Sequence, residues 1–66
     1  MKVEINNKPV HLDDGATLAD ALEAASIPSQ GIATAVNSKV ISANLRANTI
    51  LNDGDKILII KAFCGG

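Results

Sequence analysis

The sequence predicts an α+β domain in which a single mixed β-sheet carries one main helix on one face. Three observations predict it. The N-terminal residues alternate polar and apolar, a stretch of helical period follows a capping signal at Thr17, and the most hydrophobic run of the chain lies near its end. At 66 residues there is room for one domain. A domain this small buries only about 60% of the surface its unfolded chain exposes, so its core must be economical.

Met1, Val3 and Ile5 alternate with Lys2, Glu4 and Asn6, which predicts a strand with one buried face. Asn6-Asn7-Lys8-Pro9 is turn chemistry, because Asn tolerates positive φ, and Val10-His11-Leu12 resumes the alternation as the second arm of a hairpin. After Asp13-Asp14-Gly15-Ala16, Thr17 and Asp20 stand at the spacing of a capping box. Leu18, Ala21, Leu22 and Ala25 then fall at i, i+3, i+4 and i+7, an apolar stripe opposite Asp20 and Glu23. Pro28 ends this helix by about Ser26.

Ile32 to Asn37 reads as a strand poor in charge, with a turn at Ser38-Lys39 into a short extended Val40-Ile41. Leu45 to Leu51 has no clean period and is expected to be a loop with one turn or a short strand. Asn52-Asp53-Gly54-Asp55 is a turn. Lys56 to Phe63 supplies the apolar strand. Its continuous apolarity requires both faces to be covered or one face to be reserved for a partner. With one helix available the sheet cannot be covered on both sides, so an exposed apolar patch is expected around this strand.

Composition excludes several classes. Six Lys and Arg stand against seven Asp and Glu, dispersed along the chain, and there is one Phe with no Trp or Tyr. No electrostatic footprint for nucleic acid or an anionic membrane results, and no aromatic platform for single-stranded bases. A single Cys forms no internal disulfide, which suits a reducing compartment and a cytoplasmic location. No stretch approaches membrane-spanning length and nothing resembles a signal peptide.

The order strand, strand, helix, strand, short strand, long strand places the most hydrophobic strand at the sheet centre, parallel to the first. This is the ubiquitin-like β-grasp arrangement. The whole chain resembles the sulfur-carrier family of thiamin biosynthesis, the ThiS family. The likeness lies in its length, Lys2-Val3-Glu4-Ile5-Asn6, Asp14-Gly15-Ala16-Thr17-Leu18 and Ile32-Ala33-Thr34-Ala35-Val36-Asn37. It continues through Asn52-Asp53-Gly54-Asp55, Ile57-Leu58-Ile59-Ile60 and the terminal Gly65-Gly66. Cys64 departs from the commonest endings of that family.

The resemblance implies that the carboxylate of Gly66 is the reacting group. A ThiF-type adenylyltransferase would join AMP to it at the expense of ATP. A sulfur donor such as a cysteine desulfurase would then supply sulfur, leaving a thiocarboxylate that a ThiG-type thiazole synthase consumes. On this reading the chain is a carrier and a substrate with no catalysis of its own, binds no cofactor and is monomeric alone. Residues 1–63 form the domain and 64–66 a flexible tail. Gly65 and Gly66 lack Cβ atoms, so they can pass through a narrow channel into each active site. By analogy with the β-grasp family, Ile57 and Ile59 face inward while Leu58 and Ile60, with Ala62 and Phe63, form the partner surface. The competing reading puts all four aliphatic residues in the core.

Other residues invite sharper readings and are better explained structurally. Cys64 lies two residues from the reacting carbon, but no Arg, His or helix N-terminus stands beside it in sequence to lower its pKa, so it reads as a spectator thiol in preference to a sulfur relay. One His (His11) and one Cys fall short of a metal set. Asp13, Asp14, Asp53 and Asp55 flank glycines in turns, where Asp serves the backbone. Three alternative functions share the pattern: the small subunit of molybdopterin synthase, a conjugating protein modifier, and a plain interaction module.

Overall fold

A computed structural model describes residues 1–61. Its elements are β1 (Lys2–Ile5), β2 (Lys8–His11), α1 (Leu18–Ala24), β3 (Ile32–Val36), β4 (Lys39–Ile41), a 3-10 helix (Ala43–Asn48) and β5 (Lys56–Lys61). The five strands form one sheet in the order β2-β1-β5-β3-β4. β5 pairs parallel with β1 and antiparallel with β3. This is the expected β-grasp topology, with the last strand at the centre.

Both hairpins close through two residues with positive φ, Asn6-Asn7 and Asn37-Ser38. That is the type I′ geometry whose twist matches the flanking strands, and Asn is among the residues that tolerate it best. The turns are therefore tighter than the sequence suggested. β2 begins at Lys8 and β4 at Lys39. Pro9 sits inside β2 because that strand is an edge, where a missing N–H disrupts no central ladder.

The capping box forms as expected. The Asp20 backbone N–H donates to Thr17 Oγ1 at 3.2 Å, and the Thr17 N–H donates to Asp20 Oδ2 at 2.9 Å. The helix ends at Ala24, ahead of the expected position, for a reason other than Pro28 alone. Ile27 N–H donates to the Leu22 carbonyl at 2.9 Å and Ser26 N–H to that of Glu23 at 3.0 Å, with Ser26 at φ +57°. That pair of bonds is a Schellman closure, formed here around Ser in place of the usual Gly.

Leu18, Ala21 and Leu22 of α1 pack with Val3, Ile5, Ile41, Leu51, Ile57 and Ile59 as one core. The region from Leu45 to Leu51 is more ordered than its sequence indicated. It contains most of the 3-10 helix and a β-bridge between Thr17 and Ile50. Arg46 within it is only 5% exposed. Its guanidinium donates to Thr34 Oγ1 at 3.1 Å and to the carbonyls of Ser29 and Ile32 at 2.7 and 2.9 Å, tying the loop after α1 to the rest of the domain. Truncating the cap as Thr17→Ala is expected to cost about 1 kcal/mol, read as a lower urea midpoint with an unchanged slope.

Candidate functional site

The alternation of β5 divides its aliphatic residues between two environments. Ile57 and Ile59 are 3% and 9% exposed and face α1, whereas Leu58 and Ile60 are 51% and 54% exposed on the opposite side of the sheet. The inward and outward assignment read from the sequence holds, and the reading that all four residues are core is corrected. Among the described residues one seven-residue α-helix covers the first face and leaves the second bare.

Register extends this bare face beyond β5. Ala33 stands opposite Ile60 and Ala35 opposite Leu58, and Val40 of β4 stands opposite Ala35. Val40, at 76%, is the most exposed of the large apolar residues among those described. Five apolar side chains thus lie side by side across three strands. Glu4 and Lys56, neighbours in the β1–β5 register, place both signs of charge on the same side. The sequence reading missed Ala33, Ala35 and Val40. Their signal was the scarcity of charge on both faces of β3, which a strand solvated on one side does not show.

Two asparagines fix the register that presents this face. Asn6 donates through Nδ2 to the Ile59 carbonyl at 3.2 Å, and its Oδ1 accepts from the Ile59 N–H at 2.8 Å. The side chain acts as one more residue of β1, extending the pairing past the turn. Asn37 accepts from the Lys56 N–H at 3.0 Å and donates to Asp55 Oδ1 at 2.9 Å. β5 is therefore held at Lys56 and again at Ile59 by side chains of the two hairpin turns.

The remaining candidates separate clearly. Asp53 Oδ1 accepts from the Lys2 N–H and Asp55 Oδ2 from the Asn52 N–H, each at 2.8 Å, so Asp55 closes its own turn and Asp53 ties that turn to the start of β1. His11 is exposed on β2, and no cluster of three or more His, Cys, Asp or Glu suited to a metal occurs among the described residues. No helix among the described residues is long and apolar enough to cross a membrane. Ala62, Phe63, Cys64, Gly65 and Gly66 lie outside the described residues, as does the expected boundary between domain and tail.

A five-stranded mixed sheet with one helix on one face and an apolar opposite face is the β-grasp fold of small ubiquitin-like proteins. Comparison with known proteins narrows it. The ThiS family matches residues 3–66, and the chain belongs to that family. The chain is 29% identical to the sulfur carrier protein ThiS of Escherichia coli (strain K12), over 100% of both. Its fold is similar to the crystal structure of the thiamine biosynthesis protein ThiS from Geobacter metallireducens. There the TM-score is 0.79 at 23% identity, over 100% of this chain and 99% of that one. The solution structure of a thiamine biosynthesis protein from the same organism gives a TM-score of 0.74 at 22% identity, covering 100% and 88%.

The division of β5 makes a direct prediction. Ile60→Asp is expected to change unfolding stability by no more than about 1 kcal/mol, the span of strand propensity at an exposed site. Ile59→Asp buries an unpaired carboxylate and is expected to abolish the cooperative thermal transition followed by circular dichroism.

Proposed function

We propose that this chain is a sulfur carrier for thiamin biosynthesis and that its reacting group is the carboxylate of Gly66. The observation that carries the reading is the family match, which runs through the terminal Gly65-Gly66. The full-length similarity to a protein named as a sulfur carrier supports it, and it favours the thiamin carrier over the molybdopterin synthase subunit and the conjugating modifier.

A carboxylate is a weak electrophile, and its conversion has to begin with activation. The Gly66 carboxylate attacks the α-phosphorus of ATP in the site of a ThiF-type adenylyltransferase, releasing pyrophosphate and forming an acyl-adenylate. A persulfide from a donor such as a cysteine desulfurase displaces AMP. Cleavage of the resulting S–S bond by a thiol leaves the thiocarboxylate, which a ThiG-type thiazole synthase uses as its sulfur source. ATP is consumed by the activating partner, and the carrier supplies neither catalytic groups nor a bound cofactor.

On this reading the chain works as a monomer in the cytoplasm and exchanges between its partners. The domain is the handle that those partners grip. Leu58 and Ile60, with Ala33, Ala35 and Val40 around them, offer an apolar face with mixed charge at its margin, the composition of a specific protein interface. Gly65 and Gly66 supply a stalk without side chains for entry into each site. Cys64 takes no part.

Incubation with a ThiF-type adenylyltransferase, ATP and a sulfur donor, followed by intact-mass measurement, is expected to show the mass increase of one oxygen exchanged for sulfur. An unchanged mass with a competent activating enzyme would sink the reading. Deleting Gly66 is expected to abolish the mass change while leaving the thermal midpoint where it was.

A further inference from the structure

The two edges of the sheet are built alike and finished differently. The β1–β2 and β3–β4 hairpins both close through two-residue type I′ turns, Asn6-Asn7 and Asn37-Ser38. In such a hairpin the residues flanking the turn, Ile5 with Lys8 and Val36 with Lys39, exchange backbone hydrogen bonds, and the next pair does not. That next pair is Glu4 with Pro9 in one hairpin and Ala35 with Val40 in the other. Pro9 and Val40 therefore hold equivalent positions, whose backbone groups turn to the open side of an edge strand. On β2 the position offers no N–H, because it is proline. On β4 it is valine, and both its N–H and its C=O face outward. One edge is closed to a further strand and the other is open.

The open edge borders an apolar hollow. Val40, Leu45 and Ile50 line it together with Val36 and Ile41, and it encloses roughly 490 Å³. Val40, Leu45 and Ile50 are three of the five large apolar residues that stand exposed among the described residues, the other two being Leu58 and Ile60 of the bare face. The backbone is open on the Ile50 side as well. Leu18 N–H donates to the Thr49 carbonyl at 2.8 Å and Leu51 N–H to that of Ala16 at 2.9 Å, which leaves Thr17 and Ile50 a pair without bonds of its own and turns the N–H and C=O of Ile50 away from Thr17. Neither Val40 nor Ile50 has a backbone hydrogen-bond partner among the described residues. Free main-chain groups beside a pocket for a side chain are what an added strand recognises, the first giving affinity and the second specificity.

We propose that the open edge of β4 receives an extended strand of the protein that covers the bare face, with an aliphatic side chain of that strand seated in the Val40–Leu45–Ile50 hollow. Val40 belongs to both surfaces, so one partner reaches them together. A second copy of this chain fits less well. Paired along β4, its sheet would continue in the same plane and leave both bare faces uncovered, and a three-residue edge offers less than the ~800 Å² per partner that a specific interface buries. That the partner is the ThiF-type adenylyltransferase rests on the proposed function; the openness of the edge does not.

The test uses the full chain and a ThiF-type adenylyltransferase. Amide hydrogen exchange at Val40, measured residue by residue, is expected to slow by at least about tenfold when the enzyme is added and to be independent of protein concentration without it. Val40→Pro gives β4 the edge that Pro9 gives β2. It is expected to keep a cooperative thermal transition and to bind the enzyme about tenfold more weakly, the scale of a lost main-chain hydrogen bond, whereas Val40→Ala, which keeps the N–H, binds more tightly than Val40→Pro. Should Val40→Pro lose its transition, the exchange at Val40 of the unmodified chain decides alone. Exchange there that bound enzyme leaves unchanged would overturn the proposal. So would equal binding by a folded Val40→Pro, or protection that grows with protein concentration in the absence of enzyme, which puts a second copy on the edge. An unmodified chain that does not bind the enzyme at all would overturn the proposed function, and this partner with it.

Discussion

One helix of seven residues cannot cover both faces of a five-stranded sheet, and most of what distinguishes this domain follows from that constraint. The most apolar strand occupies the centre of the sheet, where it has hydrogen-bonding neighbours on both sides. Its inward residues complete the core with α1. Its outward residues, Leu58 and Ile60, are as apolar as its inward ones, and each is more than half exposed. A free surface would ordinarily place polar residues there, and a contiguous exposed apolar face is a common mark of an interaction surface.

The uncovered face is useful only if its register is fixed, and polar side chains fix it. Asn6 and Asn37 belong to hairpin turns that need residues tolerant of positive φ, and each spends its amide group on β5. The same two residues therefore shape the turns and lock the central strand. Arg46 does related work on the other side of the domain. Buried without a carboxylate partner among the salt bridges of the described residues, it donates to one hydroxyl and two carbonyls and so satisfies loop groups that would otherwise be left without donors. Replacing it with an apolar residue would strand those carbonyls, which is why a cation at this site is consistent with a stable small domain.

Much of this fold was legible because its signals are local. The alternation at Met1 to Asn6, the Thr17–Asp20 capping box and the Gly54 turn each specify geometry within a few residues, and each forms as read. What escaped were features that depend on residues distant in sequence. Nothing within the window from Leu45 to Leu51 indicates that Arg46 will find carbonyls at Ser29 and Ile32, or that Ile50 will bridge Thr17. The helix end was placed late because Schellman closure around Ser26 uses a residue type that rarely signals it. Two of the five residues of the candidate docking face, Leu58 and Ile60, were visible in the sequence. The other three, Ala33, Ala35 and Val40, required the register of three strands.

In the proposed function two parts of the molecule have separate roles: the apolar face of Ala33, Ala35, Val40, Leu58 and Ile60 is what a partner holds, and the carboxylate of Gly66 is what reacts. The most direct measurement is a titration of the isotope-labelled chain with a ThiF-type adenylyltransferase, monitored residue by residue. The resonances of Ala33, Ala35, Val40, Leu58 and Ile60 are predicted to shift or broaden together while those of Ala19, Glu23 and Ala47 stay in place. Broadening centred on the helix and the 3-10 segment, with the sheet face unaffected, would contradict the account.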